Sequence, residues 1–127
     1  MDARTQEILD RFSKSWIETE IFYNDLIDNN PEWEKLIPLS IFIQKLKNTG
    51  GKNFFRLGTS LHHLIISRSV EPGLRSDQKH VRIEAQESSF IVTLKEGTKM
   101  YRQYTIKDLD DERLKGLLQT LKQVLID

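Results

Sequence analysis

Residues 80–106 read His80-Val81-Arg82-Ile83-Glu84-Ala85, then Phe90-Ile91-Val92-Thr93-Leu94-Lys95, then Met100-Tyr101-Arg102-Gln103-Tyr104-Thr105-Ile106. The first run alternates polar and apolar, the period of a strand buried on one side. The second is rich in β-branched and aromatic residues, and so is the third. Short polar linkers, Gln86 to Ser89 and Glu96-Gly97-Thr98, join them. Linkers of that length make antiparallel hairpins, so the three runs form a meander.

Upstream, Phe54-Phe55-Arg56-Leu57 and Leu61 to Ser67 read as two more strands flanking Gly58. Leu64-Ile65-Ile66 is apolar on both parities, which predicts a strand covered on both faces. Residues 69–79 form the longest irregular connection, and a loop of that length is a candidate functional segment.

Outside the strands the period changes. Ile8, Leu9, Phe12, Trp16, Ile17, Ile21, Phe22, Tyr23, Leu26 and Ile27 recur mostly at gaps of one, three or four, which predicts an amphipathic helix. Asn29-Asn30-Pro31 stops it, with Asn30 as cap and Pro31 as first residue of the next turn. Trp33, Leu36 and Ile37 give a short helical turn, Pro38 interrupts it, and Leu39, Phe42, Ile43 and Leu46 mark a further helix closed by Gly50-Gly51. At the other end Leu114, Leu117, Leu118, Leu121 and Leu125 form one stripe, with Asp108 as the expected cap. The expectation is α+β: N-terminal helices over 1–50, a five-stranded antiparallel meander over 53–106, and a C-terminal helix over 108–126 packed on the sheet. All 127 residues fit a single domain.

The chain has 19 Lys+Arg and 19 Asp+Glu, a balance that excludes coating nucleic acid by bulk charge. The distribution is uneven. Residues 1–46 carry five basic and nine acidic side chains, residues 47–107 eleven and five, and residues 108–127 three and five. The parts therefore stand at −4, +6 and −2, with acidic helices around a basic sheet. All three His lie in the basic part.

With no Cys, disulfides, thiol nucleophiles and Cys-based zinc sites are excluded. The opening residues are polar, no apolar run suffices to span a bilayer, and a cytoplasmic setting is expected. His62 and His63, adjacent in a strand, are expected on opposite faces, so no metal site is predicted. Gly50-Gly51-Lys52-Asn53 lacks the spacing and the Ser/Thr of a phosphate loop. Ser60, Ser67 and Ser69 lack a nucleophile elbow. No cofactor is expected.

Three functional expectations follow. The first is a binding or regulatory domain that works by protein–protein interaction, for instance an inhibitor or immunity-type protein, with a protein partner or a homodimer. The surplus of apolar residues over 16–23, and Ile65, Ile91 and Tyr101 on the water-facing parity, suggest it. Its expected surface is Arg56, Arg68, Arg75, Lys79, His80 and Arg82, centred on the 69–79 loop. The second is nucleic-acid binding by the same basic sheet, with Tyr101, Tyr104 and Phe54-Phe55 beside arginines. The third is metal-independent RNA cleavage by Glu84, His80, Arg82 and Arg56, a carboxylate base and a histidine acid with arginines for phosphate. Helices followed by a basic meander are similar to the layout of small bacterial ribonucleases, although no motif carries that likeness.

Overall fold

Alternation of side chains along a strand fixes which residues share a face, and cross-strand register fixes which faces are continuous. In the computed structural model, which describes residues 3–68 and 79–123, five strands pair in the order β1-β2-β3-β4-β5, each antiparallel to the next. They are β1 (Arg56–Ser60), β2 (His63–Ser67), β3 (Lys79–Ala85), β4 (Phe90–Glu96) and β5 (Lys99–Ile106). Leu57 pairs with Ile66, Leu64 with Ile83, Val81 with Leu94 and Ile83 with Val92. These side chains form the core face.

Three helices accompany the sheet: α1 (Ala3–Asn29), α2 (Ile37–Asn48) and α3 (Glu112–Leu121), with a 3-10 turn over Pro31–Leu36. A single hydrophobic cluster joins them, from Trp16 and Tyr23 on α1 through Leu39 and Ile43 on α2 to the four leucines Leu114, Leu117, Leu118 and Leu121 on α3. The fold is α+β, with helices at both ends of the chain packed on an antiparallel meander. Among the described residues no helix is long and apolar enough to cross a membrane.

α1 also closes one edge of the sheet. Trp16 Nε1 donates to the Phe55 carbonyl at 2.9 Å, and the Ser15 hydroxyl accepts from the Leu57 N–H at 3.1 Å. The helix thereby satisfies an edge donor that would otherwise invite another strand. At the end of α2, Gly50 takes a left-handed φ of 86°. Gly51 packs so closely that a Cβ there would sit 2.7 Å from the Leu46 carbonyl oxygen.

Several local expectations are corrected. The first hairpin does not turn at Gly58, which lies inside β1 opposite Ile65. It turns at Leu61-His62, because Ser60 pairs with His63. Asn30 stands at the cap position but its amide donates back to Leu26 O at 3.3 Å, closing α1 without capping the next turn. α3 begins after Asp111, whose carboxylate accepts from the Arg113 N–H at 2.8 Å. Asp108 caps the tight turn before it, accepting from Asp110 N at 3.0 Å.

Two open points of parity are decided by position in the sheet. Arg102 pairs with Leu94 of the core face yet is exposed, because β5 is the outer strand. Tyr101 packs against the core, because the register shifts at Leu94/Lys95 and re-aims it. Ile65 is buried beside Leu64 and Ile66, and Ile91 is half-buried.

Candidate functional site at the β1–β2 turn

Arg56 pairs with Ser67 and Ile65 with Arg82, so Arg56, His80, Arg82 and Glu84 share the face opposite the core. His80 is buried there and Arg82 and Glu84 are half-buried. Arg56 lines a cavity of about 520 Å³ between α1 and β1, together with Glu18, Thr19 and Phe22.

The other predicted basic residues go elsewhere. Arg68 reaches the C-terminal end of α3 and donates to the Lys122 carbonyl, where a cation meets the negative end of the helix dipole. Lys79 lies on the other parity, with Nζ 5.1 Å from the centre of the Tyr101 ring. Arg75 and the rest of 69–78 lie outside the described residues. Among the described residues, Arg56, His80 and Arg82 share one face, while Arg68 and Lys79 turn to other partners.

A different cluster does gather, at the open end of the first hairpin. His62 sits in the turn, so strand alternation does not separate it from His63, and the two rings are 4.4 Å apart. This corrects the expectation that they point to opposite faces. On its other side the His62 ring lies 4.9 Å from Trp33 of the 3-10 turn, and Lys35 Nζ lies 5.5 Å from the Trp33 ring. Tyr23 of α1 donates its hydroxyl to the His62 carbonyl at 3.0 Å and anchors the turn to the helix. Burial raises the Tyr23 phenol well above its ordinary value, so it stays a donor.

On β3, Arg82 Nη2 lies 2.9 Å from Glu84 Oε1, and His63 Nε2 is 3.9 Å from the same oxygen. Loss of solvent, and after it Lys35, hold the His62 imidazole below its ordinary value; Glu84 opposes this and Arg82 adds to it. Loss of solvent, then Arg82 and His62, depress His63 in the same way, again against Glu84. Both shifts favour the neutral form of the rings. Among the described residues, no three His, Cys, Asp or Glu side chains are arranged to hold a metal.

Leu61, the other turn residue, has φ 56° and is 81% exposed. A branched side chain in the left-handed region is strained, and glycine is the residue that this turn favours.

Sequence reasoning missed His63, Trp33 and Leu61. His63 meets Glu84 only through the β2–β3 register, and Trp33 arrives from a segment about thirty residues upstream. Leu61 had one available signal, an apolar residue between Ser60 and His62 where a turn needs polar or small residues. No known protein family, curated protein or solved structure shows significant similarity to this chain.

Proposed function

We propose that this chain is a binding domain that acts in the cytoplasm by holding another protein, in the manner of an inhibitor or immunity-type protein, and that the contact is made at the β1–β2 turn. Leu61 carries the reading. Its left-handed backbone is strained, with the side chain held out in solvent. The strain does not serve the hairpin, since glycine at that position avoids it. The neighbour of Leu61 in the turn, His62, lies against Trp33 with Lys35 over that ring and Arg82 in its electrostatic surroundings, and tryptophan and arginine are the residues that anchor binding hot spots.

The test is affinity capture with wild type and Leu61→Gly side by side, with and without nuclease treatment. A protein retained by wild type and lost with the variant supports the reading. Equal capture by both sinks it. Capture that disappears with nuclease, and weakens log-linearly with salt, assigns the sheet to nucleic acid instead.

One observation favours the hydrolytic alternative: His63 Nε2 lies 3.9 Å from the Glu84 carboxylate oxygen that Arg82 also meets. Against it, loss of solvent and the neighbouring Arg82 disfavour the protonated His63 that a leaving group would need. Cleavage of a fluorogenic RNA by wild type, lost in both Glu84→Gln and His63→Ala, is the result that would establish it.

A further inference from the structure

α1 buries one side only. Phe12, Ser15, Trp16, Thr19 and Tyr23 face the core. At about 100° per residue, Ile17 and Ile21 fall on the far side of the helix from that line. They are 56% and 55% exposed. Isolated surface isoleucines need no account, but two at i,i+4 form one apolar ridge. Exposed carboxylates flank it, Asp10, Asp25 and Asp28, while Glu18, further round, pairs with Lys14 at 4.0 Å. Arg11, further round, has its guanidinium 2.9 Å from Glu7.

We propose that the outer face of α1 is a docking surface for a basic amphipathic helix of a partner protein, seated with its apolar side on Ile17 and Ile21 and its cations against Asp10, Asp25 and Asp28. Charge complementarity selects this occupant. A second copy of the chain would bring the same carboxylates against themselves, which like-charge repulsion disfavours. The carboxylates span positions 10 to 28, roughly 27 Å of helix, which a straight rod of about 18 residues matches. An apolar stripe read at i,i+4 is the form in which one helix recognises another. The surface is distinct from the Leu61 turn, so each stands or falls by its own variants.

The probe is a Leu–Lys amphipathic peptide of about 18 residues, with its Leu–Glu counterpart as control. Both are titrated into the full chain with isoleucine methyls labelled for NMR. The expected result is that the Leu–Lys peptide moves the Ile17 and Ile21 methyl signals and that its affinity falls with salt. The Leu–Glu peptide leaves them in place. Ile17→Gln with Ile21→Gln, which removes the apolar contact without adding charge, lowers the affinity by about tenfold or more. Should that variant not fold, Asp25→Lys with Asp28→Lys serves, with a several-fold loss expected. The proposal is overturned by no binding, by equal binding of the two peptides, by shifts confined to other isoleucines, by affinity unchanged in both variants, or by self-association through this face in light scattering.

Discussion

The Ser15 hydroxyl accepts a hydrogen bond from the Leu57 N–H at 3.1 Å, joining positions 42 residues apart. The same hydroxyl donates to the Phe12 carbonyl at 2.6 Å, within its own helix. One buried side chain thus fastens α1 to the edge of the sheet.

Ser15→Ala leaves the Leu57 N–H buried without its acceptor. The expected cost is about 1–3 kcal/mol, the penalty for an unsatisfied buried donor. Urea denaturation reads it as a lowered midpoint with unchanged slope. Amide exchange at Leu57 should accelerate as well. A change within error of zero would mean that another acceptor takes the place of Ser15.

Leu61→Gly is expected to leave stability unchanged or to raise it by up to about 1 kcal/mol, since relief of the positive φ exceeds or offsets the added freedom of the unfolded chain. Thermal melting measures this. A clear loss of stability would show that the Leu61 side chain has a structural duty, and would remove the argument for its role in binding.

The His62–His63 pair makes stability depend on pH in a stated direction. Both imidazoles are depressed in the folded protein, by loss of solvent first and by neighbouring cations after it. The unfolded chain therefore takes up protons near pH 6.5 while the folded chain does not. Stability is full above that pH and declines as pH falls from there through the depressed values. His62→Gln with His63→Gln should flatten this decline, as read by urea midpoints across the range.

Asp111 acts at lower pH. Hydrogen bonds from the Arg113 side chain and backbone hold its carboxyl down at about 2. Its contribution is present above the ordinary carboxylate value of 3.8 and is lost as pH falls through about 2. Asp111→Asn should be less stable than wild type at neutral pH, with the gap closing in acid. A gap that stays constant would mean that only the capping geometry matters.

The sheet was legible because its signal is local. His80 to Ala85 alternates, and alternation alone orients each side chain of that strand. The leucine stripe of α3 and the stop at Asn30-Pro31 are local in the same sense. Cap positions were less legible: Asp108, Asp110 and Asp111 are chemically equivalent in sequence, and only backbone geometry chose Asp111. The turn at Leu61-His62 was hidden because Gly58 is the better turn former, and pairing of Ser60 with His63 overrode it.

The sequence by itself determined the α+β order, the strand count and the face on which Arg82 and Glu84 lie. Each of these follows from spacing within a few residues. The tertiary structure alone decided where the charged residues go. Arg68 and Lys79, close in sequence to a presumed basic surface, were drawn to a helix end and to a tyrosine ring. His62, His63 and Trp33, assigned no common role by spacing, came together at one turn. The physical reason is range. Backbone conformation is set by neighbours along the chain, whereas a charge or an aromatic ring settles against whatever the folded chain brings within a few ångströms.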